Sequence, residues 1–294
     1  MNNFDLHMHS KYSTDGQYSP EELINIAKEK NLKTIALTDH DSICGVKKMV
    51  ELGKQKGIRV IPGIECSTRI GHTEVHLLGY GIDLNNSYFM DLESSVRAKS
   101  EAAFHERVVK LENKYSIEIN EKKILEEAHG ENPWFLMCTK IFNTPEYQAI
   151  PDFKDYIPGG KRSDPAPVNF FWDKCQNGSD LYVFVDFPDF CSTVKKIHEA
   201  GGIAIVAHPF NTFYKNEANL NVLLNSGVDG IEAYSNYHTT SQNEYYEKLA
   251  IDNNLLISCG SDFHGSKKLS IEMGEYGLLK DGSVWLNQLL KRLG

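Results

Sequence analysis

Short, unbroken apolar runs alternate with segments whose apolar residues recur every three to four positions. The first pattern suits strands covered on both faces, the second helices with one buried stripe. Asn3 to His7 reads as a strand. Ser19-Pro20-Glu21-Glu22 opens a helix with a capping serine, proline at the first helical position and glutamate three residues after the cap. Leu23, Ile24 and Ala27 supply its apolar face. Thr34 to Thr38 reads as a buried parallel strand, a helix spans about Gly45 to Lys56, and Arg59 to Glu65 forms a third strand. The rhythm returns near residue 190. A helix near Thr193 to Ala200 precedes the strand Ile203 to Ala207, and further helices lead to the strands Gly230 to Ala233 and Leu255 to Cys259. Strand–helix alternation at both ends predicts an α/β fold whose sheet closes into, or approaches, a barrel.

The middle breaks this rhythm. Ser87 to His129 reads as largely helical, whereas Glu131 to Phe190 is rich in proline and aromatics and shows no period. The expected organisation is a barrel from residues 1–86 and 190–294, with an inserted helical and irregular cap over 87–189. Such long excursions pack on their own aromatics and often carry specificity.

Composition limits the classes of function. The chain has 294 residues, 41% hydrophobic and 24% charged, with a formal net charge of −9. That charge disfavours a general nucleic-acid surface, which is normally basic. It leaves nucleotide chemistry open, since bound cations supply positive charge that counting misses. The six cysteines form no CxxC pair, the N-terminus shows no secretory pattern, and no run is long enough for a membrane helix. The expectation is a cytoplasmic protein with reduced thiols and no membrane partner.

The chemistry sits at the ends of the strands. His7 and His9 lie two apart, so both imidazoles leave the first strand on one face. Asp15 follows in a turn, and Thr38-Asp39-His40-Asp41 ends the second strand, its carboxylates suited to orienting the His40 ring. Glu65 ends the third strand and His76 lies on a fourth. His208 follows the strand at 203–207, and Asp262 and His264 close the series, again two apart. Strand ends of a barrel converge on one face. Six imidazoles and three carboxylates placed there predict a site for two or three divalent ions, with Mn²⁺, Fe²⁺ or Zn²⁺ suiting such mixed ligands.

The motifs DLHMHSKYSTDG, IALTDHDSICG, IPGIECST, EVHLLGY, AIVAHP and GSDFHG, in this order, resemble the polymerase and histidinol phosphatase (PHP) superfamily of metal-dependent phosphoesterases. Within it the chain is most similar to the branch of nucleoside 3′,5′-bisphosphate phosphatases and 5′-end exoribonucleases. The resemblance implies a distorted (β/α)7 barrel. It implies one ion held by His7, His9, Asp262 and Glu65, a second by Glu65, His76 and His208, and a third by Asp15, His40 and His264. It further implies hydrolysis of a phosphate ester by metal-activated hydroxide, with His208 or His264 assisting proton transfer. A small phosphorylated metabolite or nucleotide is the expected substrate, with a nucleic-acid end less favoured.

That branch carries a Thr-Arg-x-His stretch that resembles a phosphate contact, and Asn132 to Thr139 lacks both the arginine and the histidine. Arg162, with Lys161, is the candidate replacement, and His238 a further substrate contact. His72, His105, His129 and His198 read as ordinary surface or helix residues. Two other classes stay open: a metal-dependent amide or C–N hydrolase, and a non-catalytic metal-dependent binding protein.

Overall fold

Thr34-Ile35-Ala36-Leu37 is buried along its whole length and sits inside a seven-stranded sheet ordered β1 to β7. The computed structural model describes residues 2–128 and 132–294. In chain order the elements are β1 (Phe4–Asp5), α1 (Pro20–Glu29), β2 (Thr34–Leu37), α2 (Val46–Lys56), β3 (Arg59–Ile70), β4 (Thr73–Tyr80) and α3 (Ser87–Tyr115). Next come α4 (Glu121–Ala128), α5 (Pro133–Asn143), α6 (Ala166–Lys174), α7 (Phe190–Glu199), β5 (Ile203–Val206), α8 (Phe210–Phe213) and α9 (Glu217–Asn225). The chain ends with β6 (Gly230–Ser235), α10 (Thr240–Asp252), β7 (Leu256–Gly260) and α11 (Ser283–Leu293).

Two compact units emerge. The first comprises Met1–Ser94, Phe187–Gly265 and Ile271–Gly294, and the second Ser95–Asp186 with Ser266–Ser270. In the first unit, β1, β2 and β3 are parallel, as are β5, β6 and β7. Beyond the regular strands, Leu6 N–H donates to the Cys259 carbonyl at 3.1 Å and His9 N–H to the Phe263 carbonyl at 2.9 Å. These bonds bring β1 beside β7 and nearly close the barrel. Helix α1 starts on the full capping box of Ser19 and Glu22, and Leu23, Ile24 and Ala27 are its buried stripe. Those residues join Met8, Ile35, Leu37, Met49 and Phe263 in one core, each large side chain contributing about 2 kcal/mol of burial.

The exception to parallel order is β4, antiparallel to both neighbours. The third strand does not end at Glu65. It runs on to Ile70, turns through Gly71 at φ 58° and returns as β4. Pairing with β2 stops at Pro62, and from Gly63 onward β3 is held by β4. Because β4 runs backwards, its N-terminal half lies where the other strands finish. That is how His76 reaches the same rim without following a strand.

The second unit has its own core. Trp134, Phe142, Phe153, Tyr156 and Phe170 are buried together with Met137, Ile141 and Leu181. Trp134 donates Nε1–H to the Pro167 carbonyl at 3.0 Å and stacks on Phe170 with ring centroids 6.0 Å apart. The stretch without sequence period therefore holds two short helices, α5 and α6, joined by aromatic packing.

Candidate metal centre

Glu65 stands at the middle of the rim and is fully buried. Its Oε1 lies 3.0 Å from His76 Nδ1 and 3.0 Å from His208 Nε2. Its Oε2 lies 3.0 Å from His7 Nε2, 3.1 Å from His9 Nε2 and 3.3 Å from His40 Nδ1. One carboxylate thus faces five imidazoles: His7 and His9 after β1, His40 after β2, His76 on β4 and His208 after β5. Three sets of side chains in this cluster are spaced to share an ion: His7, His9, Glu65 and Asp262; His9, Asp15, His40 and His264; and His40, Glu65 and His76. The first two contain the ligand sets expected from resemblance, with His9 added to the second. The third holds His40 where His208 was expected, and His208 hydrogen-bonds Glu65 instead.

Aspartate–serine clamps between neighbouring strands and loops position these groups. Asp5 accepts the Ser261 backbone N–H at 2.9 Å and its hydroxyl at 2.6 Å. Asp39 holds Ser10 in the same way, and Asp41 holds Ser67. Each pair ties a loop that follows one strand to the adjacent strand or its loop, beside Asp262, His9 and Glu65 respectively. This corrects the expected role of Asp39 and Asp41, because both carboxylates are taken by serines rather than by the His40 ring. Asp41, His208 and Asp262 have positive φ values of 54°, 21° and 58°, a strain that clusters at functional sites and is held here by these bonds.

Two further residues were missed from sequence. Glu232, wholly buried on β6, accepts from His7 Nδ1 at 2.9 Å and from the His208 backbone N–H at 2.8 Å. It therefore orients one imidazole and the loop that carries another, a carboxylate–histidine relay typical of metal sites. Its signal was a charged residue inside the run read as the strand 230–233. Gly260 makes room for the pair, since a Cβ there would meet His7 Cβ at 2.2 Å and Glu232 Oε1 at 2.8 Å. Tyr237 donates its hydroxyl to Asp262 Oδ2 at 2.7 Å. Nothing in the local sequence marks it. Glu232→Gln is expected to lower metal affinity by about 10- to 100-fold with the fold retained. Chelator competition would check this, and unchanged affinity would remove Glu232 from the site.

With protons as the only cations, the site is strongly polarised. Burial opposes a charge on His9, but Asp262 and Glu65 outweigh it and push the imidazole up to about 9. His7 is also raised despite its burial, by Glu65, Glu232 and Asp262. Burial instead drives His40 down to about 3. Burial also opposes ionisation of Glu65 and Asp15, but the surrounding imidazoles hold both carboxyls well below their usual range.

The donor set fits divalent ions. His9 Nε2, His40 Nδ1 and His76 Nδ1 are buried and make no hydrogen bond, although each lies 2.9–3.3 Å from a carboxylate oxygen. Ring nitrogens and carboxylates that crowd together without lining up point at a shared centre rather than at each other. Buried nitrogens lacking partners are costly unless something else satisfies them.

The substrate candidates belong to different units. Arg162 lies in the second unit, its guanidinium bidentate with Asp173 at 2.9 Å for both bonds, and Lys161 beside it is exposed. His238 is in the first unit, with Nδ1 3.1 Å from both the Ala233 carbonyl and Asn243 Oδ1. Burial drives it down to about 4. His105 pairs with Glu121 and His198 with Asp229, and His72 is exposed. His129 lies outside the described residues. Among the described residues no helix is long and apolar enough to cross a membrane.

The barrel and its rim of imidazoles and carboxylates define a metal-binding barrel protein. The PHP domain model matches residues 5–142. A 5′-3′ exoribonuclease of Haemophilus influenzae is 31% identical, the match covering 89% of this chain and 89% of that protein. A 3′,5′-nucleoside bisphosphate phosphatase of Chromobacterium violaceum is 28% identical over 90% of this chain and 88% of its own. A solved protein from Bifidobacterium adolescentis shares the fold with a TM-score of 0.74 at 22% identity, covering 99% of this chain and 96% of that one. The chain belongs to the PHP domain family.

Proposed function

We propose that this chain is a metal-dependent phosphoesterase acting on a small phosphorylated metabolite or nucleotide. The observation that carries the reading is Glu65 among five imidazoles, with three buried ring nitrogens left without hydrogen bonds. Two or three ions of the Mn²⁺, Fe²⁺ or Zn²⁺ type suit the donor set. His7, His9, Asp262 and Glu65 would hold one, Asp15, His40 and His264 another, and Glu65, His76 and His208 or His40 a third. When bound, such ions polarise a phosphoryl oxygen, lower the pKa of water and stabilise the leaving oxygen.

The protein's own part is placement and proton handling. Glu232 and the aspartate–serine clamps fix the ligand geometry before substrate arrives. His264 is fully buried with Nδ1 held by the Asp262 carbonyl, whereas His208 retains 9% exposure at the rim. We therefore assign proton transfer to the leaving group to His208, which leaves His40, Glu65 and His76 as the set for the third ion. One named relative is an exoribonuclease and the other a nucleoside bisphosphate phosphatase, which supports a nucleotide substrate here. A net charge of −9 favours a short substrate over a long polynucleotide. Six free cysteines suit a reducing, cytoplasmic compartment.

The test is to load the purified chain with Mn²⁺, count metal equivalents, and assay nucleoside monophosphates, bisphosphates, a 5′-phosphorylated oligoribonucleotide and amide controls. At least two equivalents are expected, with phosphate-ester hydrolysis stopped by chelator and restored by Mn²⁺. One equivalent or less would end the multinuclear reading, and chelator-resistant hydrolysis would end the metal-dependent one.

A further inference from the structure

Asp262 divides its two oxygens between different tasks. Oδ1 lies 2.9 Å from His9 Nε2 and 3.1 Å from His7 Nε2, inside the cluster. Oδ2 accepts the Tyr237 hydroxyl at 2.7 Å. The Tyr237 ring is itself fixed, stacked on Phe210 with centroids 5.7 Å apart and edge-on to His208 at 5.4 Å. Asp262 follows β7, Tyr237 follows β6, and His208 and Phe210 follow β5. Three loops therefore meet at one phenol.

We infer that Tyr237 is a positioning residue that restricts Asp262 to ligation through a single oxygen, Oδ1. The inference rests on the metal-dependent reading above. A free carboxylate can chelate one ion through both oxygens or bridge two. A hydrogen bond from a rigid donor occupies one lone-pair set and fixes the carboxylate plane. Aromatic packing on two sides keeps the donor in place, so the choice is made by the protein before the ion arrives. Among crowded candidate ion positions, this keeps Asp262 from spreading across two of them.

Tyr237→Phe isolates the hydroxyl, because the ring and its packing on Phe210 and His208 remain; Tyr237→Ala removes both. Three quantities would be measured for wild type and variants: the melting temperature of the chelator-treated chain, Mn²⁺ affinity by competition with a fluorescent chelator, and the Mn²⁺ electron paramagnetic resonance spectrum. Tyr237→Phe is expected to keep the wild-type melting temperature, lose about 10-fold in Mn²⁺ affinity and change the spectrum as Asp262 adopts a second ligation mode. Its kcat should fall with KM nearly unchanged. Tyr237→Ala should lose at least as much affinity and also melt lower. If Tyr237→Phe binds Mn²⁺ like wild type with the same spectrum, the inference is wrong. It is equally wrong if the affinity loss appears only together with a lowered metal-free melting temperature, the mark of a purely structural role. A wild-type chain that takes up no Mn²⁺ would instead overturn the metal-dependent reading, and this inference with it.

Discussion

Replacing Glu65 with glutamine is expected to lower hydrolysis by at least about a thousandfold, roughly 4 kcal/mol of barrier, and to deplete bound metal. The amide keeps the volume of the carboxylate, so no cavity forms and the fold has no steric reason to change. What disappears is the negative charge that five imidazoles from four strands converge on. One of the two amide positions becomes an NH₂ donor and cannot ligate a cation. The loss therefore reaches at least two of the three spaced sets, since both contain Glu65. Removing one member of a buried charge cluster also leaves its partners uncompensated. Metal content by mass spectrometry and steady-state kinetics on the best substrate measure both effects. Full metal occupancy with undiminished turnover would show that Glu65 is not central.

That dependence on one residue could be read in the sequence only in part. His7 and His9 were legible because a two-residue spacing on a strand sends both side chains to one face, and their rings lie 5.2 Å apart. Asp262 and His264 follow the same spacing. The partition of ligands into sets was not legible, because it depends on how five loops bend across the rim. His9 and His264 stack at 4.0 Å although 255 positions separate them in the sequence. Asp39 and Asp41 illustrate the same limit. Their spacing around His40 suggested ring orientation, but each carboxylate instead accepts a serine N–H and hydroxyl, from Ser10 for Asp39 and from Ser67 on β3 for Asp41. Glu232 could have been found as a lone charge in an apolar strand. Tyr237 could not, since a tyrosine in a polar turn carries no pattern until Asp262 is beside it.

The fold divides along similar lines. Parallel strands were readable as continuous apolar runs, and α1 from its capping box, because those signals are local. The reversal at β4 was hidden. Arg59 to Ile70 and Thr73 to Tyr80 mix polar and apolar residues, and the two-residue turn at Gly71 looks like any other loop. Helix α11, which buries Trp285, Leu286 and Leu289, went unread in a short polar-rich tail. Helices α5 and α6 were masked by prolines that, at Pro133 and Pro167, sit in the first turn of a helix rather than breaking one.

With its metals removed, the chain is expected to lose stability as pH rises from about 6.5 to about 9, whereas the Mn²⁺-saturated chain stays nearly level. His9 carries the sign. Its pKa stands at about 9 in the folded, metal-free state against 6.5 in an ordinary setting, because Asp262 and Glu65 outweigh burial. Below 6.5 both folded and unfolded chains hold the proton and the stabilisation is complete. Through the window only the folded chain holds it, so raising pH removes the benefit, on the order of 3 kcal/mol from this residue. His7 and His76 are raised by neighbouring carboxylates and act in the same direction. His40 is driven down to about 3 by burial and acts below the window, where falling pH destabilises the fold. A divalent ion must displace the protons that His7, His9 and His76 hold, so its affinity rises with pH and binding releases protons. Urea midpoints measured at both ends of the window should fall with rising pH in chelator and stay nearly level at saturating Mn²⁺. Calorimetry in two buffers of different ionisation enthalpy should count the released protons. A metal-free midpoint that rises with pH, or metal uptake without proton release, would show that the imidazoles are already neutral and that carboxylates alone set the charge of the site.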